Sequence, residues 1–199
     1  GETGTGTHMN FYDGGRYAYL EAGFTDQLIF DNSGRASSNA LMIVDLWDPE
    51  KVAEVSRWHF PGQLVGEESE RRKYWWAGSQ AAWSGSHGGP TVPIRVEDGG
   101  TVGYGGFGHY GMVIFDLTDI KNPKPYGVAR WDYETLGGIP YHSCYPVIAP
   151  AGHRLRNIVI GIRRPVSLNR PKSSPPISGS MVRKLSAPIQ PAMAARTRR

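Results

Sequence analysis

Cysteine is almost absent from this chain: Cys144 stands alone among 199 residues. A single cysteine excludes an internal disulfide framework and any cysteine-rich zinc site. No apolar run approaches the roughly 18 residues of a membrane span. No basic segment followed by an apolar one opens the chain, so no secretory leader is visible and the compartment stays unknown. The chain begins at Gly1 rather than Met, and we expect further sequence upstream. Acidic residues are missing from 161–199, a stretch with nine Lys or Arg. The net charge of +4 is therefore misleading: residues 1–160 carry 13 basic against 18 acidic side chains, a net of −5. The basic character is local to the C-terminal stretch, and it gives no ground for nucleic-acid binding by the rest.

Glycine, tryptophan and tyrosine are plentiful, and with 39% hydrophobic residues they suit an all-β chain with many turns and a real core. The most informative feature is an internal repeat. Ala40–Pro49 reads Ala-Leu-Met-Ile-Val-Asp-Leu-Trp-Asp-Pro and runs on to Val55-Ser56-Arg57-Trp58. Gly111–Asp119 reads Gly-Met-Val-Ile-Phe-Asp-Leu-Thr-Asp and runs on to Val128-Ala129-Arg130-Trp131. The copies lie 71 residues apart, Asp45 to Asp116. Upstream, Asp13-Gly14-Gly15 and Asp98-Gly99-Gly100 each open a short strand, and Asp-Gly is a favoured tight turn.

Each unit reads as four short strands, A to D. In the first they fall near 8–12, 16–23, 40–46 and 52–59. In the second they fall at 89–97, 101–107, 111–117 and 125–131. A third begins with 141–149 and 154–162. Four antiparallel strands per repeat is the blade of a β-propeller. The expected fold is all-β, a partial propeller with blade 1 at 8–60, blade 2 at 87–132 and the start of blade 3 at 141–162. Residues 163–199 follow as an irregular basic tail, read either as disordered or as out-of-frame sequence. Two and a half blades cannot close a ring, so open sheet edges and self-association are expected.

The strand C motifs, Leu-Met-Ile-Val-Asp and Met-Val-Ile-Phe-Asp, with Asp48-Pro49 and Asp119-Ile120-Lys121-Asn122-Pro123 after them, resemble the LVIVD repeat. The resemblance covers residues 8–160 and implies a propeller. It implies little about chemistry, because propellers host many functions.

Strand order places the long connections, 25–39 and 60–86, on one end of the blades and only tight turns on the other. Long loops gathered on one end of a rigid scaffold carry function. His87 and His142 stand at matching places before strand A of blades 2 and 3, and His8 stands before the first strand A. Imidazoles converging at a channel mouth would suit Fe, Cu or Zn. Some propeller enzymes, including carotenoid-cleavage oxygenases and the selenium-binding methanethiol oxidases, resemble this layout. The other reading is that these histidines cap strands and bind neighbouring loops.

His109 and Tyr110 sit in the B–C loop of blade 2, and Arg72, Trp75 and Trp76 in the long D–A connection. These five are the candidates for contact with a small molecule; the Trp residues serve equally as a packed lid. Asp45 and Asp116, repeated at strand ends, are read as turn-forming, Trp58 and Trp131 as core, and Cys144 as a buried thiol. The glycine-rich Gly103–Gly108 precedes no helix, which removes the basis of a phosphate cradle. The leading function is a small-molecule site at the loop end. If the protein is an enzyme, the chemistry expected is that of a metal-dependent lyase or oxygenase. The alternative is a non-catalytic scaffold that binds a protein.

Overall fold

The computed structural model describes residues 4–24, 39–71, 88–108, 110–129, 139–150, 152–155, 158–164 and 184–186. Three antiparallel sheets hold about half of them. The first is β1(Gly4–Thr7), β2(Tyr17–Phe24), β3(Ala40–Asp45) and β4(Ala53–Trp58), in that order. The second is β5(Gly88–Thr91), β6(Val102–Phe107), β7(Gly111–Asp116) and β8(Lys124–Ala129). The third has β9(Ile139–Pro146), β10(Ile158–Arg164) and β11(Lys184–Ser186), with β10 in the middle. Among the described residues the helical elements are single turns at Glu68–Arg71 and Val96–Asp98. No described helix is long and apolar enough to cross a membrane. The described sheets do not close on one another.

The repeat is structural in detail. Tyr17 pairs with Asp45 and Val102 with Asp116, so both B–C ladders start in the same register. Both C–D ladders slip at the same place, between Ile43 and Val44 and between Ile114 and Phe115. A bulge increases twist and bends the outer strand, and its repetition gives the two sheets one shape. Beyond each strand C the aspartate closes a turn. The Asp45 carboxyl accepts from the Trp47 N–H at 2.8 Å, and the Asp116 carboxyl from the Thr118 N–H at 2.9 Å. Asp48 and Asp119 do the same for Glu50 and Lys121. The reading of these acids as turn formers thus holds. The guanidinium of Arg16, and then the Trp47 amide, hold the Asp45 carboxyl below its usual value. Hydrogen bonds from Thr118 lower Asp116 likewise.

Strand A departs from expectation in both complete units. In the first it lies at Gly4–Thr7 rather than 8–12, and then regains β2 at the single pair Phe11–Tyr19. Side chains interrupt the ladder between these points: Asn10 Oδ1 accepts the Glu21 N–H, and a Glu21 oxygen accepts the Met9 N–H. In the second unit strand A ends at Thr91, not at residue 97. Pro93 has no N–H to give, and the Arg95 carbonyl turns inward to accept from Asp98 and Gly100. Gly99 adopts a φ of 90°, and a Cβ on Gly100 would fall 1.8 Å from the Ile94 carbonyl oxygen. The Asp-Gly-Gly turn therefore requires both glycines. Within the basic stretch, residues 184–186 pair with β10. Apart from the end of β10 and these three residues, 163–199 lies outside the described residues.

The sheets stack face to face. Between the first and second lie Tyr19, Leu41, Ile43, Trp58 and Phe60 from one side and Val92, Phe107, Tyr110, Val113, Phe115 and Leu117 from the other. Trp58 meets Phe107 and Phe115 edge-on, with ring centroids 5.0 Å and 4.9 Å away. Between the second and third, Tyr104 and Met112 pack on Tyr141, Cys144 and Val159. Alternate residues of β6 and β7 thus serve opposite interfaces, as the period of a strand requires. Trp58 holds the place in the core that its repetition suggested, whereas Trp131 lies outside the described residues. Deleting a buried aromatic side chain costs about 3–5 kcal/mol. Trp58→Ala is expected to lose that much in a urea unfolding series, while a loss below about 1 kcal/mol would contradict this packing.

Candidate functional site

The end of the first sheet from which the 25–38 connection leaves carries a buried polar network. Its centre is Glu21, on β2, with no exposed surface. A carboxyl removed from water must be met by donors or its burial is costly. Here Oε2 accepts the Met9 N–H at 3.2 Å and Oε1 accepts Asn39 Nδ2 at 2.8 Å. The Asn39 carbonyl accepts Gln63 Nε2 at 3.1 Å, and Gln63 Oε1 accepts the Phe60 N–H at 2.9 Å. Gln63 is itself buried. The chain from Glu21 to Phe60 joins β2, the start of β3 and the segment after β4.

Next to this network, Glu67 caps the turn beyond Phe60. Its Oε2 accepts the Gly62 N–H at 2.9 Å and lies 3.8 Å from His59 Nδ1. On the facing strand, the His8 N–H donates to the Glu21 carbonyl at 3.1 Å. His8 is exposed. The loop end of the first sheet therefore brings together Glu21, His8, His59 and Glu67, with Asn10, Asn39 and Gln63 fixing the backbone around them.

His142, on β9, belongs to the third sheet. It is half-buried, with Nδ1 2.8 Å from Ser143 Oγ. Its backbone lies against β6 because residue 106 is glycine: a Cβ there would stand 2.9 Å from the His142 carbonyl oxygen. The Gly108 N–H donates to the Tyr141 carbonyl at 2.9 Å, and Thr91 Oγ1 to the Cys144 carbonyl at 3.2 Å. These contacts pin β9 to β5 and β6.

The expected site residues fare differently. His87, His109, Arg72, Trp75 and Trp76 lie outside the described residues. Tyr110 packs in the core between the first two sheets: it is 5% exposed and stacks on Phe60 at 4.8 Å. Cys144 is 2% exposed, and burial pushes its thiol well up. It is poorly suited to act as a thiolate. Among the described residues, no three His, Cys, Asp or Glu side chains are placed to hold a metal ion. His8 and His142 alone do not make the expected Fe, Cu or Zn centre.

The sequence reading missed Glu21, and the signal was present. An acid interrupts the run Tyr19-Leu20-Glu21-Ala22-Gly23-Phe24, and its counterpart in the second copy is Gly106. One repeat thus has glycine where the other buries an acid. Removing the carboxyl leaves the half-buried Met9 and Asn39 donors unmet, at about 1–3 kcal/mol. Glu21→Ala is expected to lose that much stability and Glu21→Gln less, because the amide keeps one acceptor; equal, negligible losses in both would contradict the network.

No protein-family model, no curated protein and no solved structure matches this chain.

Proposed function

We propose that the chain is part of a β-propeller of four-stranded blades that binds a small molecule at its loop end. One observation carries this reading: the buried network anchored on Glu21 lies at the end where the long connections leave the sheets. A polar network sunk into an otherwise apolar sheet is a specificity device, and convergent polar groups beside apolar walls are the usual make-up of a ligand site. The tight turns at the other end are explained by their own hydrogen bonds, as Asp45 and Asp116 show.

The metal form of this reading needs His87 together with His142 or His8, since the described residues do not complete a ligand set. A bound Fe, Cu or Zn would supply Lewis-acid or O₂ chemistry of the lyase or oxygenase kind. A second reading, a protein-binding scaffold, draws on Tyr12, Ile94 and Ile148. These are large apolar side chains, 54%, 56% and 77% exposed, one on the short turn between the first two strands of each sheet. Scattered singly they are ordinary surface, so the small-molecule reading is preferred.

Titration calorimetry with Zn²⁺ and with Co²⁺ on the purified chain separates these forms. The metal form predicts one saturable site per chain, lost in His87→Ala and weakened at least tenfold in His142→Ala. Absence of a saturable site, or one indifferent to both substitutions, removes the metal form and leaves a metal-free ligand site or a scaffold.

A further inference from the structure

At the tight-turn end of the first sheet, Trp47 is 78% exposed. Its backbone N–H closes the turn on Asp45, and Thr118 does the same for Asp116 at the matching place in the second sheet. The turn forms with threonine as well, so it does not account for the indole. A ring left in water forgoes the burial that tryptophan otherwise supplies.

Beside the indole lies Arg16, whose counterpart in the second sheet is Thr101: their carbonyls accept the Leu46 and Leu117 N–H groups. Arg16 Nε and Nη2 both donate to Asp45 Oδ2, the former at 2.9 Å. The guanidinium sits over two rings, 5.7 Å from the Trp47 centroid and 5.3 Å from that of Tyr17. Asp45 thus fixes the guanidinium with one oxygen and the turn that carries the indole with the other. Groups held in place before a ligand arrives cost less to order on binding. Among the described residues, Arg16 Nη1 and Trp47 Nε1 meet no acceptor.

The surroundings narrow the ligand class. Arg95 donates to the Asp13 carbonyl, which joins the turns at 12–16 and 94–98 beside the one at 45–52. Across these turns six acids stand against three bases, Arg16, Lys51 and Arg95, which opposes an anion. A cation would meet Arg16, which already uses the negative face of the indole. A wholly apolar partner would cover Arg16 Nη1 and Trp47 Nε1 without pairing them, a costly outcome. What remains is a neutral ring with an apolar face and a rim of hydroxyl oxygens, which is the chemistry of a sugar.

We propose that Trp47 and Arg16 form a platform for a neutral hexopyranose unit of a glycan. The open face of the indole takes the C–H face of the sugar, and Arg16 Nη1 and Trp47 Nε1 donate to hydroxyl oxygens at its edge. This platform is independent of the loop-end site: it lies at the other end of the sheet and shares no residue with the Glu21 network.

Saturation-transfer NMR on the full chain, titrated with neutral hexasaccharides of glucose, mannose and galactose, tests this. Saturable binding of at least one is expected, with oligogalacturonate, the acidic relative of the galactose chain, binding more weakly. Trp47→Ala is expected to weaken binding about tenfold, Trp47→Phe less, with an unchanged urea midpoint. On the unaltered chain the Trp47 Nε1–H resonance is expected to shift with the same midpoint, so the test stands even if a variant folds poorly. No saturable binding of any of the three, equal affinity in a folded Trp47→Ala chain, or tighter binding of the acidic chain would overturn the proposal. So would sedimentation showing self-association that depends on Trp47 in the absence of sugar binding, which would assign the indole to a protein interface.

Discussion

Trp58 lies at the end of β4 with its indole edge-on to Phe107 and Phe115 of the next sheet. The arrangement of the first two sheets depends on this contact. A lone four-stranded sheet of this length has one apolar face too many for water, and the stable solution is to set that face against another sheet. Three aromatic rings and the branched side chains around them bury that face. Tilted and edge-on ring pairs add about 0.5–1.5 kcal/mol each beyond area burial. The second sheet then has its other face to cover, and Tyr104 and Met112 meet Tyr141, Cys144 and Val159 of the third. The same requirement, applied twice, produces a stack. Glycine sets how close the layers come: Gly106 lets the β9 backbone press onto β6, and no larger residue fits there.

Such a stack has two ends with different chemistry. At one, the connections between strands are short and satisfied locally by aspartate side chains and glycine turns. These segments spend their polar groups on themselves. At the other, the connections are long, and the polar groups nearest them are buried and linked across elements, from Met9 and Glu21 through Asn39 to Gln63 and Phe60. Burying the Glu21 carboxyl and the Gln63 amide in a small sheet protein costs solvation that apolar side chains would not, and the network answers that cost with hydrogen bonds that also fix where the long connections begin. The proposed small-molecule site rests on this asymmetry.

Much of the architecture was legible because the repeat appears twice. The strands at 40–45 and 111–116 lie where the alternating apolar motif puts them, and their aspartates close turns because the same spacing recurs at Asp48 and Asp119. Strand A was not legible, for physical reasons. Pro93 and the inward-turned Arg95 carbonyl end it early in the second sheet. In the first, Glu21 and Asn10 take over ladder bonds with their side chains, an exchange that no hydrophobic period reveals. Tyr110 sits in the turn between β6 and β7, and only the structure shows that its ring reaches back onto Phe60. Glu21 belongs to no motif, and its one mark in the sequence is an acid standing opposite Gly106 of the second copy. β11 carried no signal: Lys184-Leu185-Ser186 is too short to have a period.

The face-to-face stacking of successive sheets is the claim on which the rest turns, and ring-proton contacts in solution report it directly. Nuclear Overhauser spectra of the chain should show Trp58 indole protons close to the rings of both Phe107 and Phe115, and the Met112 methyl close to Tyr141. Trp58 cross-peaks confined to its own sheet, with none to residues 102–116, would contradict the stack and with it the placement of the loop end.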